Sequence, residues 1–266
     1  ELADRPIDIH RVPLFNATLF RMAKDVHVFV FVPHHLIWDG WSFDILQSEL
    51  ATVYGALVRG VPHGLPALEV SHGDYAEWYS RWLDSPEADA QLKFWKQRFG
   101  SYPPTKALRT DMPRRAGMSG LGSAHPIRIE RELTERLRDL SRRNDLSLNM
   151  LTFGVFILMM SSIAQSRSIV IATPMRVREA PELEPVMGFF NNLLPLSFQV
   201  DGSARFTDFL RYVKAEFLSV TSNQQIPFER LVSEPEFAER VQGAGLYQAL
   251  FSFQDARERP TAIGDL

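Results

Sequence analysis

Two adjacent imidazoles followed at fixed spacing by a carboxylate, His34-His35-Leu36-Ile37-Trp38-Asp39-Gly40, are the residues of this chain best suited to moving a proton. A histidine titrates close to neutral pH, and a positioned general base or acid is typically worth roughly 10²–10⁴ in rate. The chemistry this fits is acyl transfer, in which a nucleophile sheds a proton while the attacked carbonyl oxygen turns negative. That oxygen needs donors, and the backbone amides from Gly40 to Ser42, at the start of a helix, are candidates. On residue types alone, Asp39 orienting an imidazole in a triad is a second arrangement.

The flanking pattern predicts how these side chains are held. Residues 25–32, DVHVFVFV, are β-branched and aromatic and read as a strand, which Pro33 closes. Residues 13–22, PLFNATLFRM, read as a neighbouring strand, with a turn near Ala23-Lys24. From Ser42, a plausible cap with Asp44 in the first turn, Leu46, Leu50, Val53, Tyr54 and Leu57 recur at helical spacing until Gly60 and Pro62. The motif therefore lies on a strand-to-helix crossing, where loops on a rigid frame carry chemistry.

Further helices are expected over 73–83 and 88–99, the latter presenting Leu92, Trp95 and Phe99 on one side. Residues 100–124 are rich in Gly, Pro, Ser and Arg without periodicity and read as a linker. Beyond them come a short strand IRIE at 127–130 and a surface helix marked by Leu133, Leu137 and Leu140. A buried helix capped by Ser147 and a core strand SIVIA at 168–172 follow. The pattern continues with a strand over 192–200, an amphipathic helix over 206–220 and a last strand over 246–253. Strands alternating with helices place the chain in the α/β class. The expected organisation is a first lobe at 1–105, a linker at 106–124 and a second lobe at 125–266.

Composition narrows the function. A formal net charge of -3 argues against nucleic acid or an anionic membrane surface as the main partner. With no cysteine there are no disulfides, thiolate nucleophiles or Cys-based zinc sites, and a cytoplasmic location is the expectation. The apolar run 150–160 is too short for a membrane span. His63, His72 and His125 lack ligand spacing, so no metal is expected. A chain that opens on Glu1 and ends at Leu266 reads as a segment of something longer.

Several separated motifs carry a resemblance: PHHLIWDGWS at 33–42, HGDYAEW at 72–78, QLKFW at 91–95, VMGFFNNLLPL at 186–196 and NQQIPFE at 223–229. Together they resemble the condensation domain of nonribosomal peptide synthetases, in the chloramphenicol-acetyltransferase-like superfamily. The chain departs from the family pattern at His72 (Tyr in the family), Asn191 (Val), Leu193 (Thr), Asn223 and Gln225. The Arg-rich element is barely recognisable in VQGAGLYQAL at 241–250. Two motifs that normally precede the histidines are absent, as is the continuation after the last strand, so the resemblance covers the middle of such a domain.

The resemblance implies a two-lobe fold, each lobe a mixed sheet flanked by helices, with an active-site tunnel between the lobes. It implies that a carrier-bound acyl or peptidyl thioester is transferred to the amine of a carrier-bound aminoacyl acceptor, forming an amide. Both substrates arrive on 4'-phosphopantetheine arms, the chain itself binds no cofactor, and its partners are the two carrier proteins and neighbouring synthetase domains. His35 is then the catalytic histidine, acting as base and positioner, with Gly40 leaving room for substrate. His34 packs and hydrogen-bonds. Asp39 forms a structural ion pair with Arg178 of TPMRVRE at 173–179, with Arg176 as the other possible partner. Ser42 and Asn192 fall in the channel or at the lobe interface, whereas Trp38 and Trp41 are read as core. The Arg-rich stretches 109–115 and 136–143 read as solvated faces, or as contacts for an acidic carrier. Within the superfamily, epimerisation, ester formation, transfer from coenzyme A and a non-catalytic recruitment platform are the alternatives. Heterocyclising relatives carry aspartates in place of the histidines, which disfavours that activity.

Overall fold

The run that precedes the histidines forms a strand because it finds a partner on one edge. In the computed structural model, which describes residues 5–100, 108, 110–112, 122–235, 237 and 246–254, β1 (Phe15–Arg21) and β2 (His27–Pro33) pair antiparallel. Their register runs from Phe15 opposite Pro33 to Arg21 opposite His27. The ladder continues one step further: the His34 amide donates to Leu14 O at 2.8 Å, so the motif leaves the sheet from a fixed position. Beneath it, Phe31 packs on Phe15 and Trp38, and Trp38 on Phe43, with ring centroids 5.1–5.4 Å apart. Trp38 is accordingly a core residue.

A short 3-10 turn, His35–Ile37, leads into α1 (Gly40–Arg59). Its cap is Asp39, whose carboxylate accepts from the Ser42 amide, and not Ser42 itself, so the cap lies three residues earlier than the sequence suggests. Gly60 ends it in the left-handed region (φ 67°), where glycine alone carries no Cβ penalty, and its amide closes onto Ala56 O and Leu57 O. Then come α2 (His72–Trp82), α3 (Pro86–Gly100), α4 (Arg131–Arg143) and α5 (Leu148–Ala164). They are followed by β3 (Ser168–Arg176), β4 (Asn191–Gln199), α6 (Phe206–Thr221) and α7 (Phe228–Ser233).

The chain divides into two compact units that interleave along the sequence. The first gathers residues up to Trp82 with the segment Arg176–Asn191; the second gathers Leu83–Met175 with the chain from Asn192. These units are drawn differently from consecutive lobes at 1–105 and 125–266. Helix α3 belongs with the second unit, and the segment that follows β3 packs with the histidine motif. The expected linker at 106–124 and the element at 241–245 lie largely outside the described residues.

In the first unit Leu183, Val186 and Phe190 are buried together, with Val70, Tyr75 and Ala180 against them. The second unit is built on β3 and β4, paired in a two-stranded sheet whose residues 169–172 and 194–198 are almost all buried. Helix α5 lays Leu151, Phe153, Ile157 and Met160 inward, and Gly154 lets α6 approach. A Cβ there would stand 2.8 Å from Leu210 Cδ2. Helix α3 buries Leu92, Trp95 and Phe99, the stripe read from their spacing, and the Trp95 indole donates to Asn223 O at 2.8 Å.

Two expected strands are not formed. IRIE at 127–130 has no ladder partner among the described residues, and Ile127 and Ile129 are exposed. Strand propensity without a neighbour to pack on does not make a strand. The segment 246–253 contributes a single parallel bridge, Leu250 to Ala172. No single helix among the described residues is long and apolar enough to cross a membrane.

Candidate active site

Four polar groups of the first unit converge on one carboxylate through five hydrogen bonds. Asp39 Oδ1 accepts from the Ser42 amide (2.8 Å) and the Ser42 hydroxyl (2.7 Å), and Oδ2 accepts from the Phe190 amide at 3.2 Å. Arg178 Nη2 bridges both oxygens at 3.2 and 3.1 Å. The guanidinium goes on to donate through Nη1 to Leu183 O and Val186 O, and it lies 3.9 Å above the Phe190 ring. The side chains of Arg178 and Asp39 are 0% and 1% exposed, so the pair is buried. Burial pushes the Arg178 pKa down from its ordinary value, and the Asp39 charge opposes that shift. An arginine stays cationic regardless, so the net charge of the pair is zero.

Ser42, expected in a channel or at a lobe interface, is instead fully buried in this knot. Its one hydroxyl proton has two acceptors in reach, Asp39 Oδ1 and Gly188 O (2.9 Å), while its oxygen accepts from the Gly188 amide at 3.0 Å. The Ser42 amide is committed to Asp39, which removes it from the set of carbonyl-oxygen donors expected there. Arg176, the other possible partner of Asp39, instead pairs with Glu184 through two bonds of 3.0 and 2.8 Å and stacks 4.5 Å over Trp41. The Trp41 indole donates to Glu184 O at 2.9 Å. Trp41 thus clasps the start of α1 to the 176–184 segment.

The two histidines diverge. His34 Nδ1 accepts from the Leu36 amide at 3.0 Å and caps the 3-10 turn. His35 is exposed, and among the described residues no group hydrogen-bonds its imidazole. Its one ring neighbour there is Phe189, edge-on with centroids 5.5 Å apart. Neither imidazole bonds to Asp39, both of whose oxygens are occupied elsewhere. The triad arrangement is therefore not formed. Gly40 follows directly. Its backbone is not in the left-handed region, and a Cβ there would meet nothing within 4 Å, so neither conformation nor crowding requires a glycine.

Sequence reasoning passed over three residues that shape this place. His72, at the start of α2, points its Nε2 at Phe189 O (3.3 Å) and packs edge-on against Phe190. Gly188 admits that ring: a Cβ would stand 2.2 Å from His72 Cδ2. Tyr75 packs on Phe190 at 4.8 Å, and burial together with the nearby Glu179 charge pushes its pKa up to about 12. The one available signal was the departure from the family pattern at His72.

Asn192 is buried in the second unit, where its amide donates to Gln224 O (2.7 Å) and Ile226 O (2.6 Å) and accepts from the Phe228 amide (3.1 Å). These bonds hold the turn that carries IPFE. Among the described residues no three His, Cys, Asp or Glu side chains cluster as metal ligands.

Helices around two small sheets, with this histidine motif at a strand exit, make an α/β fold that solved condensation domains share. Solved structures agree. The X-domain from teicoplanin biosynthesis matches with a TM-score of 0.82 at 22% identity, over 93% of this chain and 56% of that one. The first condensation domain of the CDA synthetase matches with a TM-score of 0.75 at 19% identity, over 98% and 56%. The condensation-domain family model matches residues 1–261, and the chain belongs to that family. Among curated relatives, a linear gramicidin synthase of Brevibacillus parabrevis is 35% identical over 255 residues. That alignment spans 96% of this chain and 3% of the synthase. Phosphinothricin tripeptide synthetase PhsC of Streptomyces viridochromogenes is 32% identical over 254 residues, spanning 96% and 23%. The chain thus corresponds to a small part of these relatives and to about half of the solved chains.

Proposed function

We propose that this condensation domain forms an amide by passing a carrier-bound acyl or peptidyl group to the amine of a carrier-bound aminoacyl acceptor, with His35 as base and positioner. The amine nitrogen attacks the thioester carbon, the C–S bond breaks, and the proton lost by nitrogen passes through the imidazole to the leaving thiolate. Atoms and charge balance without a cofactor. Both substrates arrive on 4'-phosphopantetheine arms in this reading, and the donor and acceptor carriers are the partners.

The observation that carries the proposal is the state of His35. Its ring is exposed and free of hydrogen bonds among the described residues, while the adjoining backbone is fixed by the β1–β2 ladder on one side and the Asp39 cap on the other. A histidine kept for packing would be buried with its nitrogens satisfied. Gly40 supports the same reading, since open space is the one property its missing side chain provides.

The test incubates the full-length protein with a donor acyl-carrier and an acceptor aminoacyl-carrier and follows both by intact-protein mass spectrometry. Mass transfer to the acceptor carrier that disappears in His35→Ala supports condensation. Deuterium uptake at the α-carbon without transfer points to epimerisation, and tight carrier binding without any reaction points to a platform.

A further inference from the structure

The backbone around Gly188–Phe190 is pinned at nearly every polar atom. Gly188 N and O both meet the Ser42 hydroxyl, at 3.0 and 2.9 Å. Phe189 O receives the His72 Nε2 contact at 3.3 Å, Phe190 N donates to Asp39 Oδ2, and Phe190 O accepts from Val177 N at 2.8 Å. Gly188 and Phe190 are buried, whereas the side chain of Phe189 between them faces outward. That large apolar ring remains 38% exposed, and its one aromatic neighbour among the described residues is the His35 imidazole.

Folding alone gives little reason to hold a phenylalanine there: an exposed ring forfeits much of the burial that stabilises one. A ligand that covers the ring recovers it. The neighbouring chemistry is apolar as well. Leu36, next to His35 in sequence, is 60% exposed. The charged pair directly after the motif, Asp39 and Arg178, is buried and neutralises itself, and Arg176 is matched by Glu184. Nothing charged among these groups is left to greet a charged substituent beside the reacting amine.

We propose that Phe189 is the specificity-determining side chain of the His35 site, an apolar wall that favours acceptors with an aliphatic or aromatic α-substituent over charged ones. His72 and Gly188 are its positioning residues, since they fix the peptide that carries it. The inference rests on the amide-forming reading above and names the substrate class that reading leaves open.

The experiment measures kcat/KM for acceptor carriers loaded with alanyl, leucyl, phenylalanyl or aspartyl thioesters, with one acyl-loaded donor carrier that the wild-type protein binds. Full-length wild type, Phe189→Ala, Phe189→Leu, Phe189→Arg and His35→Ala are compared. Wild type is expected to favour the leucyl or phenylalanyl acceptor over the aspartyl one by about tenfold or more, the scale on which apolar pockets discriminate. Phe189→Ala should compress that preference to within about threefold, Phe189→Leu should retain part of it, and Phe189→Arg should shift it toward the aspartyl acceptor. Equal losses across all four acceptors, or unchanged ratios, overturn the role of Phe189. Failure of the underlying reading looks different: amide formation that survives in His35→Ala, or no transfer by wild type to any acceptor.

Discussion

Removing the Asp39 carboxylate should unfold the site before it touches the chemistry. Asp39→Ala takes away a helix cap, about 1 kcal/mol, and strands a buried guanidinium, which costs about 3–5 kcal/mol. The Phe190 amide also loses its acceptor. A total of about 4–6 kcal/mol is a large share of the roughly 5–15 kcal/mol by which domains are stable. At about 2–4 °C per kcal/mol for a protein of this size, the melting temperature should fall by about 8–24 °C, and much of the variant should be insoluble. Asp39→Asn keeps an acceptor for the Ser42 amide and should lose less. Replacing both partners, Asp39→Ala with Arg178→Met, should be less destabilised than the sum of the single changes, because no charge is left stranded. Thermal melts of purified proteins measure all four species. An Asp39→Ala or Asp39→Asn variant that melts with the wild type but forms no product would refute the reasoning and return Asp39 to the reaction itself.

Two glycines should respond in opposite ways. Gly188→Ala drives a Cβ to within 2.2 Å of the His72 ring, and overpacking of this kind typically costs about 1–3 kcal/mol, visible as a lower melting temperature. Gly40→Ala should leave melting unchanged or slightly raised while lowering turnover, because its Cβ enters space that is open in the protein alone. Tyr75 makes stability fall at high pH. Its pKa is raised when folded, so its contribution is complete below pH ~10 and is lost as pH climbs toward about 12, where the unfolded chain ionises first. Melts between pH 9 and 11.5 should therefore fall more steeply in wild type than in Tyr75→Phe.

Local signals in the sequence located those elements that carry their own pattern. The Leu92, Trp95, Phe99 stripe and the Ser147 cap needed only helical spacing and one hydroxyl, and both are as expected. Choosing between Asp39 and Ser42 as the cap of α1 was beyond that kind of reasoning, since both are good capping residues. In the structure Asp39 takes the Ser42 amide, and Gly188, 146 residues away, shares the Ser42 hydroxyl with it. The strand at 127–130 failed for a related reason: its composition suits a sheet, but among the described residues no edge pairs with it. Pairing of Asp39 with Arg178 came from resemblance to a family and not from spacing. Phe189 stayed invisible because its meaning lies in a contact with His35, across more than 150 residues, and in its outward turn between pinned neighbours.

The central claim, that the exposed imidazole of His35 moves the proton during amide formation, is tested most directly by single-turnover kinetics of His35→Ala beside a thermal melt. Loss of about 10²–10⁴ in the rate of amide formation, with a melting temperature within 2 °C or so of wild type, is the result expected of an exposed ring that serves only the reaction. A variant that still forms amide within about threefold of the wild-type rate would contradict the account.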